Sequence, residues 1–165
     1  MYRSLLFLVS CFIMFQVAAQ EARNTIFADG AVKGPVYALN FDHVFHTAHG
    51  NTLSWSAGFS LEHDAISAPL GIDVIKGRRD WHPEFGMLLI PYIDHYKTFL
   101  SGDNLSDKYI YVIPYAGYRL QHPDGGLFLK ASVGPFLSLD PPSDHFFHMT
   151  AKLYGYASIG AGFSF

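Results

Sequence analysis

The chain has 165 residues, with 11 Lys and Arg against 14 Asp and Glu and a formal net charge of −3, which is room for one domain and no basic stripe for nucleic acid. Half of the residues are apolar and 16% are aromatic, yet beyond the first twenty positions no apolar run approaches the eighteen residues of a membrane-crossing helix. That combination leaves a soluble β-sandwich or a β-barrel with an apolar outside.

The first predicted element is a secretory signal, "MYRSLLFLVSCFIMFQVAAQ". Arg3 forms its basic start, an apolar run follows from Leu5, and small residues precede an expected cut after Ala19. Residues 1–19 then leave, and 20–165 form a single domain. "LVSC" resembles a lipidation site, but the apolar stretch continues past Cys11, so cleavage at Ala19 is preferred. Cys11 is the chain's one cysteine and departs with the signal, which excludes a disulfide framework and a thiolate metal site.

After the signal, alternation of period two predicts eight strands, at 25–29, 36–45, 52–62, 66–75, 83–96, 109–121, 127–139 and 151–165. In the second, Tyr37, Leu39, Phe41, His43 and Phe45 oppose Asn40 and Asp42. The third sets Leu53, Trp55, Ala57, Phe59 and Leu61 against Ser54, Ser56, Gly58, Ser60 and Glu62. The last runs to Phe165 with Leu153, Ile159 and Phe163 on one face and Tyr154, Tyr156, Ser158 and Ser164 on the other. The first strand is short and joins the second through an indistinct connection.

Eight strands, apolar on one parity and polar on the other, predict an all-β, antiparallel barrel that crosses a bacterial outer membrane with its polar parity inward. The short turns "HTAHGN", "KGRRD" and "HPDGG" then share one side, and the long connections 97–108 and 140–150 share the other. The rival is a soluble sandwich or lipocalin-like barrel with the parities reversed. It draws support from Pro69, Pro91, Pro114 and Pro135, which lie inside predicted strands and each remove a ladder donor. In the barrel, those prolines are expected at bulges or where ladders loosen.

The inward parity collects Asp29, Asn40, Asp42, Glu62, Asp73, Glu84 and Asp94 with Arg119, Lys130 and Lys152. An eight-stranded interior is narrow enough for side chains to fill it, and an unpaired buried charge is strongly unfavourable. These groups are therefore expected to plug the lumen by pairing. A minor small-solute or ion path along the acidic surplus is the less favoured reading.

The histidines offer a metal reading. His43, His46 and His49 fall unevenly along one strand end, while His145 with Asp144 and His148 lie in a long loop, where solvated polar residues are the commoner case. No metal or other cofactor is expected. Catalysis by acyl transfer needs a hydroxyl beside a His base. His148 and Thr150 sit two apart on one face, a superficial likeness to the His-x-Ser of lipid A deacylases, with Thr in place of Ser and no orienting carboxylate in view. Phe146 and Phe147 suit either a binding patch or an aromatic girdle at the headgroup level, the girdle being favoured.

From Asn24 to Phe165 the chain resembles the small outer-membrane β-barrel proteins of Bacteroidota. The likeness lies in "NTIFADG", "VYALNFDHVF", "APLGIDVIKG", "HPEFGMLL", "YAGYRLQHPDGGLFLKASVGP" and "YASIGAGFSF". It implies an eight-stranded barrel, and Phe163 and Phe165 look like the terminal signal read by the barrel-assembly machinery. The expected partners are outer-membrane lipid, that machinery, and an extracellular ligand at loops 97–108 and 140–150. The function expected is structural or surface-binding and not enzymatic, with an outer-leaflet lipid-modifying enzyme as the alternative.

Overall fold

A computed structural model of the protein describes residues 22–77, 80–94, 108–139 and 151–165. Within them the backbone forms β1 (Asn24–Ala31), β2 (Tyr37–Ala48), β3 (Asn51–Leu61), β4 (Ala65–Ser67), β5 (Leu70–Lys76), β6 (Trp81–Asp94), β7 (Lys108–Gln121), β8 (Gly126–Leu139) and β9 (Ala151–Ser164). All pairings are antiparallel. Apart from β4 and β5, each strand pairs with the next in sequence, and β1 also pairs with β9, from Thr25 opposite Ser164 to Ala31 opposite Ser158, which closes the sheet on itself.

β4 and β5 are two halves of one stave, because both continue a single register against β3 and against β6. The barrel therefore has eight staves, as the alternation predicts. The first strand, expected over 25–29, is longer and separate from the second. It gains its extent from neighbours on both sides.

The connection between β7 and β8 turns tightly. In "HPDGG" the Gly125 N–H donates to the His122 carbonyl at 3.0 Å, and both Gly125 and Gly126 have positive φ, which only glycine adopts freely. A Cβ on Gly125 would stand 2.6 Å from the Ser164 carbonyl oxygen, so the turn packs on the end of β9. The last residue is bound as well. Phe165 and Asn24 exchange both backbone hydrogen bonds, at 2.8 and 3.0 Å.

The strand prolines do not sit at bulges. The register shift between Val44 and His46 in β2 involves no proline. Pro69 lies at the break between β4 and β5, and Pro91 stands opposite that break. Pro114 and Pro135 fall together in an interruption of the β7–β8 ladder.

Pleating sends alternate side chains to opposite sides of the wall. Outside stand Leu39, Ile72, Val133, Leu153, Ile159 and Phe163, each at least 60% exposed. Inside, the lumen is layered along the barrel axis. Nearest the short turns, Thr25, Gln121 and Ser164 join by hydrogen bonds of 2.9 and 3.3 Å. A charged layer follows, then an apolar one of Ile90, Ile113, Phe136 and Tyr156. Toward the long connections come Tyr92, Tyr109, Tyr111 and Tyr154, with ring centroids of successive partners 4.7 to 6.3 Å apart through Phe136.

Candidate functional site in the barrel lumen

Arg119 organises the charged layer. Its place on the inward parity of β7 puts the guanidinium across the lumen from β2, 77 residues earlier in the chain. Nη1 and Nη2 donate to Asp42 at 3.2 and 3.0 Å, a bidentate pair matching the planar fork to the carboxylate. Nε donates to Glu84 at 3.0 Å and Nη1 to the Gln121 side-chain oxygen at 3.2 Å. The guanidinium also lies over the Phe128 ring, 5.1 Å from its centroid.

Lys130 completes the cluster from β8. Its Nζ donates to Glu84 at 2.7 Å and to the Tyr115 hydroxyl at 2.8 Å. The Tyr115 hydroxyl in turn donates to Asp73, and Ser54 donates to Asp42 at 3.0 Å. Arg119, Asp42, Asp73 and Glu84 are fully buried, and Lys130 nearly so. Three carboxylates thus face two cations. The surplus negative charge is met by hydroxyl donors, with Asp73 Oδ2 left 3.8 Å from Arg119 and without a hydrogen bond among the described residues. A buried, mutually bonded arrangement of this kind stays rigid while all members are present and becomes strongly unfavourable when one is removed.

Of the residues singled out by sequence, the structure brings Asp42, Asp73, Glu84, Arg119 and Lys130 together. Asn40 and Asp29 line a small cavity of about 30 Å³ beside Lys130, room for about one water. Asp29 Oδ1 has no hydrogen-bond partner among the described residues. Glu62, Asp94 and Lys152 stand near the opposite rim, where Glu62 accepts from the Val36 N–H. Phe163, on the outside of the final strand, and Phe165, just after that strand, are exposed.

His145, His148, Thr150, Phe146 and Phe147 lie outside the described residues, as do the signal (1–19) and all of loops 97–108 and 140–150 except Lys108. Among the described residues no group of three or more His, Cys, Asp or Glu side chains could hold a metal ion. His43 bonds Asn24 through Nδ1 at 2.8 Å.

The apolar layer was not anticipated by the sequence reading, which treated the inward face as polar. Its signal was present in the parity: Ile113 shares a face with Tyr111 and Tyr115, and Leu88 and Ile90 share one with Gly86 and Tyr92. At the short-turn end a cavity of about 450 Å³ is lined by Arg23, Thr47, Thr52, His82, Gln121 and His122 among others.

The fold is similar to the N-terminal β-barrel domain of OprF from Pseudomonas aeruginosa, with a TM-score of 0.50 and 14% sequence identity over 88% of this chain and 99% of that one. At that identity the likeness is one of fold. No family model matches the chain, and no curated protein matches its sequence.

Proposed function

We propose that this protein is a small barrel of a bacterial outer membrane, acting as a structural or surface-binding component without catalysis, its lumen a plug and not a pore. The observation that carries this reading is the inversion of the wall. Exposed Leu39, Ile72, Val133, Leu153 and Ile159 coat the outside, while Arg119, Asp42, Asp73 and Glu84 lie in a closed interior. In water such a coat would be a large aggregating patch, whereas in hydrocarbon it is the favoured surface. A closed barrel also leaves no unpaired sheet edge to face lipid. The likeness in fold to the OprF barrel domain supports the same architecture.

In this reading the short turns face the periplasm and the long connections face outward. The exposed Phe163 of β9 and Phe165 just after it serve recognition by the assembly machinery, and an extracellular ligand would meet loops 97–108 and 140–150. Membership of the Bacteroidota family belongs to the same proposal, carried by the shared sequence phrases.

The test is twofold. Purified protein should partition into detergent and migrate faster on semi-native gels before heating than after, since the closed barrel is more compact than the unfolded chain. A freely water-soluble protein would overturn the membrane reading. In planar bilayers the barrel should give no discrete conductance, because the charged and apolar layers fill the lumen. Steady single-channel steps would replace the plug with a pore, and altered lipid A acylation in a deletion strain would replace it with an enzyme.

A further inference from the structure

The wall between β7 and β8 lacks hydrogen bonds near mid-barrel. The register is the same on either side of the interruption, Val112 opposite Leu137 and Ala116 opposite Val133, so Pro114 stands opposite Pro135. Alternation fixes which way their backbone groups point. On β6, the Pro91 carbonyl accepts from Ala68 at 3.2 Å and therefore points away from β7. Met87 shares that parity and is the register partner of Pro114. Pro114 consequently directs its polar backbone toward β8, at a place where two bonds would form. Both donors are absent, because both residues are proline.

Pro69 and Pro91 each keep half of their pair. Gly58 donates to the Pro69 carbonyl at 2.7 Å, and Ala68 to that of Pro91. At Pro114 and Pro135 nothing is kept. Four residues of each strand, roughly 13 Å of wall, pass between one hydrogen-bonded pair and the next. The strands touch there through Gly134: a Cβ at that position would fall 2.1 Å from the Pro114 carbonyl oxygen.

Behind this seam lies the apolar layer. Ile113 and Phe136 flank the prolines on the inward face, with Ile90 and Tyr156 packed against them. The small cavity noted above borders the same layer through Leu88, Ile90 and Tyr156. In front of the seam, Pro114 and Pro135 face outward. A weak stretch of wall therefore separates the surroundings of the barrel from lumen chemistry suited to hydrocarbon.

We infer that the β7–β8 seam is a lateral port through which the end of a phospholipid acyl chain enters the apolar layer of the lumen. This rests on the membrane-embedded reading, since only a bilayer presents acyl chains to the middle of the wall. The seam is closed in this structure, and the chain end occupies the layer when β7 and β8 separate. No ladder bond has to break between Val112 and Ala116 for that to happen.

The experiment uses the deuterated mature protein, with protonated isoleucine δ1 methyls, in nanodiscs of dimyristoylphosphatidylcholine. Cross-relaxation from chain methylene and methyl protons should reach outward Ile72 and Ile159 and also inward Ile90 and Ile113. In a Pro114→Val, Pro135→Val variant, whose restored N–H groups can complete the ladder, the contacts at Ile90 and Ile113 should be lost and those at Ile72 and Ile159 kept. Native protein with contacts at Ile72 and Ile159 only would overturn the port and leave the membrane reading standing. Contacts at Ile90 and Ile113 that persist unchanged in the variant would overturn the seam as the route. Absence of contacts at all four would overturn the membrane reading and the port with it.

Discussion

Arg119 shows how much one side chain can carry in a closed lumen. Its guanidinium answers Asp42 and Glu84, both fully buried. Arg119→Leu would leave two carboxylates short of their partner, with an expected loss of ~3–5 kcal/mol, the usual consequence of breaking a buried pair. Urea titration of the refolded barrel in micelles measures it, and a loss below ~1 kcal/mol would mean that water reaches the cluster. Arg119→Met combined with Asp42→Leu should lose less than Arg119→Leu, because Glu84 keeps Lys130 at 2.7 Å and the Asp42 charge is gone. Strand parity makes Arg119 and Lys130 inward-facing in the sequence alone. It does not say which acid each meets, for Asp42 and Arg119 are far apart along the chain and meet only across the closed barrel.

At several glycines a Cβ would collide with the neighbouring strand, and the contacts differ sharply from one glycine to the next. A Cβ on Gly162 of β9 would lie 2.0 Å from the Ile26 carbonyl oxygen and 2.5 Å from Phe27 Cα, so the backbone of β1 itself would have to move. A Cβ on Gly155 of the same strand would meet nothing within 4 Å. Gly162→Ala is therefore expected to loosen the β1–β9 closure by ~1–3 kcal/mol and lower the urea midpoint, whereas Gly155→Ala should leave it unchanged. Equal effects would mean that the closure is not the tight contact described. Neither outcome is readable from the sequence, where both are glycines between alternating residues. The prolines teach the same lesson. Proline's local chemistry predicts a ladder fault, but whether the fault becomes a bulge, a broken stave or a bare seam depends on the residue across the strand. The short first strand was the weakest in sequence for a related reason: its length comes from pairing with β2 and β9, not from its own alternation.

Across the whole molecule, the outward face is the feature that separates a membrane barrel from a soluble one. Ile159 is 73% exposed and lies well inside β9. Ile159→Arg should destabilise the barrel by ~2–4 kcal/mol in lipid vesicles if that position sits near the bilayer midplane, measured by urea unfolding in vesicles. In a soluble protein the same change would be neutral or would improve solubility, so a neutral result in vesicles argues for the rival fold.

Alternation by itself determined the two faces, the number of staves and which charged side chains share one of those faces. It could do so because the pleat is a property of consecutive residues and needs no distant partner. Closure of β1 on β9, the grouping of Asp42, Asp73, Glu84, Arg119 and Lys130, the apolar layer above them and the facing of Pro114 by Pro135 were decided only in three dimensions. Each depends on the stagger with which the sheet meets itself, and that stagger is set by all the strand pairings together.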